Sequence, residues 1–248
     1  MANKKLMPGA RTWYDGAMLK AVMFDVDGTL GDTLPLCTET YRRITEEVTG
    51  RRPTAAEVES LYGLSDRGVL GGLLGMDPED PALPLGRMVE IYEQLHPTLA
   101  PAPFPGAVEV LRGVKEAGMH VGIISGKESH TAMPTLRFFG LEGLYEWAGF
   151  GEPTHNAKGE RLQEAMRHWN LQPHELVYVG DAPSDITQAH GAGVRIVNAA
   201  WSPSAAGMER ECLALKPDFR LTDMAELLPL LQQAQHPAPH SPHGGGRP

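Results

Sequence analysis

Two segments of the 248-residue sequence carry a pair of aspartates directly after a short apolar run. Asp25 and Asp27 follow the first run, and Asp181 and Asp185 follow a run more than a hundred residues later. Four carboxylates at one site repel one another unless a cation lies between them, and oxygen ligands of this kind suit Mg²⁺. If the two segments meet in the fold, the sequence predicts a magnesium site there.

Two other residues could hold an anionic ligand beside these acids. Ser125 ends a third apolar run and has backbone amides next to it, and Lys158 opens a helical pattern. Plainer interpretations stay open, since Ser125 or Asp185 could simply cap the helix that follows, and Lys158 could be a solvated helix lysine. The acid pair Asp25 and Asp27 could also belong to an ordinary turn.

The apolar runs are predicted to be strands buried on both faces. They are short, rich in Val and Ile and show no alternation, at residues 19–24, 120–124, 175–179 and 194–197. Helical patterns separate them, at residues 106–117 and 158–169. Strands alternating with helices predict an α/β fold with a doubly wound parallel sheet. In such a sheet ligands bind beyond the carboxyl ends of the strands, which is where the candidate residues lie.

One long stretch has helical patterns only. Between residues 33 and 103 helical segments are predicted at 36–49, from Thr54 onwards, at 66–74 and at 85–96. This stretch is therefore predicted to be a helical cap inserted into the core. The predicted organisation is a loose arm at 1–18, a core at 19–32 and 104–231, the cap at 33–103, and a disordered tail at 232–248.

Charge and composition exclude several classes of function. The chain has 22 basic and 31 acidic side chains and a formal net charge of −9, so neither nucleic acid nor an anionic membrane is an expected partner. No segment approaches about 18 consecutive apolar residues, and the first residues lack a secretory signal. Two cysteines form no disulfide framework. Together these features predict a cytoplasmic protein, and the oligomeric state has no signature in the sequence.

The motifs, taken in order, resemble those of the haloacid dehalogenase-like phosphohydrolases, in the phosphoglycolate phosphatase-like branch with a helical cap. They read FDVDGTLGDTLP at the first strand, IISGK at the second, then Lys158, then VGDAPSD. The resemblance covers nearly all of residues 19–231. It implies a Rossmann-like core and a Mg²⁺-dependent phosphatase that acts on a small phosphorylated metabolite. Examples are 2-phosphoglycolate, a sugar phosphate and a nucleoside monophosphate.

The resemblance also implies a role for each motif residue. Asp25 would attack the phosphoryl group and form an aspartyl-phosphate, and Asp27 would act first as general acid and then as general base. Magnesium would be held by Asp25, the backbone carbonyl of Asp27, Asp181 and Asp185. The phosphoryl oxygens would be held by Ser125, the Gly126 amide and Lys158.

Two other functions stay open. A phosphohexose mutase of the same architecture would return the phosphoryl group to a sugar, and a catalytically silent relative would only bind ligands. The acid at Asp27 favours phosphate-ester chemistry, and the mutases share a Ser-Arg pair where this chain has GLSDR at residues 63–67. Arg67 is the first candidate in the cap to meet a substrate carboxylate or hydroxyl, ahead of Arg42 and Arg43. Its plainer interpretation is a solvated surface arginine.

Overall fold

A computed structural model describes residues 18–235 of the protein, and its centre is a parallel sheet of six strands. The strands are β1 (Ala21–Phe24), β2 (His120–Ile124), β3 (Trp147–Gly149), β4 (Leu176–Gly180), β5 (Arg195–Ala199) and β6 (Phe219–Leu221). Their order across the sheet is β3-β2-β1-β4-β5-β6, and every neighbouring pair is parallel. The predicted α/β fold is confirmed.

Helices cover both faces of the sheet, which is why its strands read as continuous apolar runs. In β1, Val22 and Phe24 belong to one apolar core, and Ala21 and Met23 belong to a second core on the other face. The first face is covered by α5 (Ala107–Glu116), α6 (Ser129–Phe138) and α10 (Leu227–Gln235). The second face is covered by α7 (Lys158–Trp169), α8 (Pro183–Gly191) and α9 (Ala205–Ala214).

The segment between β1 and β2 is helical, as predicted. It contains α1 (Leu34–Thr49), α2 (Ala55–Glu59), α3 (Asp66–Leu74) and α4 (Leu85–Leu99), and the first of these packs against the other three. Helix α2 starts with a capping box at the predicted Thr54, in which Thr54 and Glu57 are bonded reciprocally. These four helices lie where the cap was predicted, and the boundaries of cap and core stay predictions.

The C-terminal end of the described chain corrects one boundary. The tail was predicted to begin at residue 232, but α10 continues to Gln235. It does so because Leu231 and Ala234 are buried in the first core, and the helix packs on α5. The rest of the predicted tail and residues 1–17 of the predicted arm lie outside the described residues.

Two further expectations concern membrane spans and disulfides. Among residues 18–235 no helix is long and apolar enough to cross a membrane. Cys37 and Cys212 are both free and buried. The cytoplasmic location stays a prediction.

Candidate active site

A cavity of about 750 Å³ opens at the carboxyl edge of the sheet. The chain reverses its direction of winding between β1 and β4, and the loops after these neighbouring strands diverge there to leave a crevice. Asp25 and Asp27 come from the first loop and Asp181 from the second, and all three line the cavity. Helix α1 contributes another part of the cavity wall. The sheet therefore brings together residues that lie more than 150 positions apart.

Three of the predicted acids form one buried cluster. Carboxylate oxygens of Asp25, Asp181 and Asp185 all lie within 4.8 Å of one another. The Oδ1 atom of Asp25 is buried and has no hydrogen-bond partner within the described chain. The cluster thus offers three carboxylates as oxygen ligands for a metal ion, and one of their oxygens accepts no hydrogen bond.

Local contacts fix the orientation of the two acids after β4. Thr29 donates its hydroxyl to Asp181 Oδ1 at 3.1 Å. Asp185 Oδ1 accepts from the Tyr178 hydroxyl at 3.1 Å, and its Oδ2 accepts the Ala182 amide at 3.0 Å. This last bond is the helix-capping role that the sequence left open for Asp185, and it coexists with membership of the acid cluster.

Gly28 allows the two loops to approach this closely. Its φ of +78° is one that glycine adopts without strain, and a side chain there would collide with the Asp181 carboxylate. The glycine of the first motif is therefore required both by the turn and by the neighbouring acid.

Lys158 bridges two members of the cluster. Its ammonium lies 2.6 Å from Asp185 Oδ1 and 3.1 Å from Asp25 Oδ2. Burial opposes its charge, but the two carboxylates outweigh that effect and raise the pKa of Lys158 above its ordinary value. The predicted lysine thus lies at the site as a permanent cation.

One lysine does not balance the charge of three carboxylates. The raised pKa values of two of them are consistent with this excess of negative charge. Burial raises the pKa of Asp25 to about 7, even though Lys158 lowers it. Burial, followed by the charges of Asp185 and Asp25, raises the pKa of Asp181. A divalent cation would relieve this repulsion and satisfy the free Asp25 oxygen, so the residues present fit Mg²⁺.

Asp27 lies apart from the cluster and has a different environment. Its carboxylate accepts from Lys127 Nζ at 2.8 Å, from the Thr33 hydroxyl, and from Ser125 Oγ at 3.4 Å. Burial opposes ionisation, but Lys127 and Thr33 prevail and lower the pKa of Asp27. The Asp27 side chain is thus engaged by Lys127 and Thr33, and its role as a magnesium ligand through the backbone carbonyl stays what the resemblance implies.

Lys127 is the residue that the sequence reasoning missed. It is buried, and besides Asp27 it donates to the Tyr92 hydroxyl of α4 at 2.8 Å. It was already visible in the IISGK motif, two residues after Ser125 at the end of a predicted strand. That position at the sheet edge was the available signal.

Ser125 and Gly126 of the IISGK motif also lie at the site. Gly126 lines the cavity, and its amide makes no hydrogen bond to another part of the described chain. Ser125 is buried beneath it, and its hydroxyl accepts the Lys127 amide at 3.1 Å. A free amide at the cavity suits a phosphoryl oxygen.

Arg67 is not brought to the cavity. Its Nε donates to Glu128 Oε2 at 3.2 Å, and a terminal nitrogen lies 3.8 Å from Glu79. Arg42, by contrast, lies in the cavity wall. The next residue, Arg43, does not line the cavity and is exposed. The geometry gives no support to substrate binding by Arg67.

Comparison with known proteins agrees with this architecture. Residues 22–199 match the model of the family described as haloacid dehalogenase-like hydrolase. The phosphoglycolate phosphatase of Pseudomonas putida is 27% identical over 90% of this chain and 84% of its own. The pyrophosphatase PpaX of Bacillus pumilus is 26% identical over 86% of this chain and 96% of its own.

A solved structure gives the same picture. A candidate β-phosphoglucomutase from Thermotoga maritima has a TM-score of 0.64 and 25% identity, covering 87% of this chain and 99% of that one. The family match spans both strands that carry the acids, and the predicted family is confirmed. The chain belongs to the haloacid dehalogenase-like hydrolases, in their phosphoglycolate phosphatase-like branch.

Proposed function

We propose that the protein is a Mg²⁺-dependent phosphatase that hydrolyses a small phosphorylated metabolite through an aspartyl-phosphate. The observation that carries the proposal is the buried, unpartnered Oδ1 of Asp25 at the cavity, beside two further acids and a lysine. The names of the relatives, a phosphoglycolate phosphatase and a pyrophosphatase, support phosphoryl transfer to water.

In the first step Asp25 attacks phosphorus. A bond forms between its carboxylate oxygen and phosphorus, and the bond from phosphorus to the ester oxygen breaks. Lys127 keeps Asp27 ionised in the free site, so the proton enters with the monoanionic phosphate ester. Asp27, which lies two residues further on the same loop, takes it up and delivers it to the leaving oxygen. The products of this step are an aspartyl-phosphate and a free alcohol.

In the second step water attacks the aspartyl-phosphate and releases phosphate and the Asp25 carboxylate. Asp27 accepts the proton from that water, and the Lys127 ion pair favours the ionised state that a base needs. One residue thus gives a proton and takes one back, so the enzyme is restored after each turnover.

Binding of the phosphoryl group falls to the cations and amides at the cavity floor. Lys158 and the Gly126 amide would hold its oxygens, with Ser125 supporting the loop. Magnesium, when bound, would be held by Asp25, the Asp27 carbonyl, Asp181 and Asp185. It would supply the positive charge that lets two anions approach each other.

Phosphate release from a panel of esters in the presence of Mg²⁺ tests the proposal. We expect turnover by the wild type and a loss of at least about a thousandfold in Asp25→Asn, since the nucleophile is removed. The exposed Asp77→Asn serves as control and should retain wild-type activity. No turnover by the wild type, with Asp25→Asn indistinguishable from it, would overturn the proposal and leave a binding protein.

A separate arm distinguishes a mutase. β-Glucose 1-phosphate is supplied with a catalytic amount of a glucose bisphosphate, and the products are separated. Free phosphate supports the phosphatase. Accumulation of glucose 6-phosphate without phosphate release would contradict it.

A further inference from the structure

The part of the cavity wall that α1 forms limits what the substrate's leaving group can be. If the proposed function holds, the phosphoryl group lies at Asp25, and the rest of the ester extends along α1. Residues of this helix that lie one turn apart line that wall: Leu34, Thr38 and Arg42. The last of them is the only cation that the helix contributes to the lining among the described residues.

Arg42 is anchored but not neutralised. Its Nε donates to the carbonyl of Pro53 at 2.9 Å, which fixes the plane of the guanidinium. The carboxylate oxygen nearest to its terminal nitrogens is Glu39 Oε2 at 3.7 Å, too far for a hydrogen bond. Within the described chain those terminal nitrogens therefore keep their donors free.

Glu39 is already occupied by two other arginines. Its Oε1 accepts from Arg43 Nε at 2.7 Å, and Arg52 donates to both of its oxygens at 2.9 and 2.7 Å. Arg52 also pairs with Glu46 at 2.6 Å, so three arginines share the two carboxylates of Glu39 and Glu46, and one positive charge is left unbalanced. The cavity wall thus presents a net cation at this point.

The other two cations of the described lining are not available in this way. Lys158 is held between Asp25 and Asp185, and Lys127 is held by Asp27. Both belong to the machinery at the cavity floor. Only Arg42 has a charge and free donors to offer to the far end of a bound substrate.

The helix sets the distance between the two ends. Cys37 Sγ lies 3.9 Å from Asp27, and Arg42 is five residues further, which is about 7.5 Å along a helix axis. Cys37 and Arg42 both line the same cavity, which therefore spans this distance. The group that Arg42 binds must therefore lie a few bonds away from the phosphorus.

Acids elsewhere in the wall restrict an anion to this place. Asp32 and Glu59 also line the cavity, and their carboxylates make no hydrogen bond or ion pair with other described residues. An anionic group of the substrate bound near either of them would be repelled by a like charge. The favourable binding mode is therefore the one that places this group at Arg42.

We infer that Arg42 is a specificity-determining residue that binds a second anionic group, carboxylate or phosphate, on the leaving group of the substrate. The two enzyme names among the relatives concern compounds with such a second group, which agrees with the inference. The leaving group of the natural substrate is therefore charged.

Two matched pairs of esters test this. 2-Phosphoglycolate is compared with ethyl phosphate, which lacks the carboxylate, and glucose 1,6-bisphosphate is compared with glucose 1-phosphate. The quantity measured is the ratio of kcat/KM within each pair. Arg42→Gln should lower the ratio by about ten- to hundredfold, mainly through KM, in the pair whose second group Arg42 binds. The pair that responds tells carboxylate from phosphate.

Controls separate this effect from misfolding and from failure of the proposed function. Arg137→Gln, at an exposed arginine of α6 outside the cavity, should leave both ratios as in the wild type, and Arg42→Lys should recover part of the lost ratio. Unchanged ratios in Arg42→Gln, or an equal loss for both members of each pair, would overturn the inference while the phosphatase stands. If the wild type hydrolyses none of the four, calorimetric binding of 2-phosphoglycolate and of glucose 1,6-bisphosphate to the wild type and to Arg42→Gln decides the inference, and the wider panel with Asp25→Asn decides the proposed function. Equal affinities of the two proteins for both ligands would overturn the inference.

Discussion

At the scale of single residues, the aspartates of the site fall into two electrostatic environments. Asp25 and Asp181 are buried among other acids, so the pKa of each is raised. Asp27 is also largely buried but has its own lysine, so its pKa is lowered. Environments that drive the pKa values of neighbouring carboxyls apart are the usual basis for giving them different roles. Here the difference depends on Lys127.

The Asp27–Lys127 pair should therefore be costly to break from one side. Lys127→Met leaves a buried carboxylate without its counter-charge, and we expect a loss of about 3 kcal/mol in the free energy of unfolding. Adding Asp27→Asn should restore part of that loss, because the uncompensated charge disappears. Urea denaturation of the two single variants and the double variant measures the coupling.

A surface pair provides the comparison. Lys20 lies 2.6 Å from Glu175 with its side chain 48% exposed, so Lys20→Met should cost less than about 1 kcal/mol. A similar loss in the free energy of unfolding for both lysine variants would show that the buried pair contributes no more to stability than the exposed one.

The residues of the site were predictable to the extent that they follow strands. Asp25, Ser125 and Asp181 follow strand ends, and parallel topology alone places such positions at one edge. The choice between Arg67 and Arg42 was not predictable in this way. Both lie on inserted helices, and which face meets the cavity depends on how those helices pack.

At the scale of elements, the starts of two helices cap each other. Asp66 at the start of α3 accepts the Glu128 amide at 2.9 Å and the Thr131 hydroxyl at 2.6 Å at the start of α6. In return, the Glu128 carboxylate accepts the Ser65 hydroxyl at 2.7 Å and the Arg67 amide at 3.1 Å. The arrangement joins an inserted helix to the loop that carries Lys127, and it also accounts for the position of Arg67.

Removing one half of this reciprocal cap should destabilise the protein. Asp66→Ala leaves the Thr131 and Tyr41 hydroxyls and the Glu128 amide without their acceptor, all in a buried region. We expect a loss of about 2–3 kcal/mol in the free energy of unfolding in urea. The exposed Asp77→Ala should change it by less than about 0.5 kcal/mol. A loss below about 1 kcal/mol in Asp66→Ala would contradict this role.

The contact between α4 and α6 should make stability depend on pH. His96 is buried there, its Nε2 lies 3.2 Å from Thr135 Oγ1, and its Nδ1 has no partner in the described chain. Burial, reinforced by the charge of Lys127, lowers the pKa of His96 to about 4. In the unfolded chain a histidine has a pKa of about 6.5.

The sign follows from which state binds the proton. Between about pH 6.5 and 4 the unfolded chain is protonated at His96 and the folded chain is not, so stability is complete above this range and falls as the pH decreases through it. From pH 7 to pH 5 this group should contribute a loss of about 2 kcal/mol. In His96→Gln the difference in unfolding free energy between the two pH values should be smaller by that amount. An identical pH dependence in both proteins would refute the assignment.

Elements differed in how far local sequence determines them. The bounds of α3 and α7 agree with their predicted ranges, because amphipathic spacing and end signals lie within each helix. The strands β3 and β6 have three residues each and were not predicted. Such short edge strands exist because a longer neighbour offers its backbone, and that pairing partner is remote in sequence.

At the scale of the whole molecule, the strand order explains why an acidic protein can handle an anionic substrate. The chain carries a net charge of −9, yet the loops after β1 and β4 concentrate three acids at one point of the sheet. A cation bound there converts the most negative point of the fold into one that attracts phosphate. Without a cation, the repulsion among these three acids destabilises the folded protein. Stability and cation binding should therefore be linked.

Mg²⁺ should therefore raise the melting temperature of the whole protein. At a concentration about 100 times its dissociation constant, a ligand of the folded state adds about 2.7 kcal/mol. For a chain of this size that corresponds to a rise of roughly 5–10 °C in a thermal scan. NaCl at the same ionic strength should not reproduce it, because screening acts weakly on a buried cluster. Asp181→Asn should lose the response and Asp77→Asn should keep it. A Mg²⁺ response in Asp181→Asn equal to that of the wild type would place the cation somewhere other than between the loops after β1 and β4.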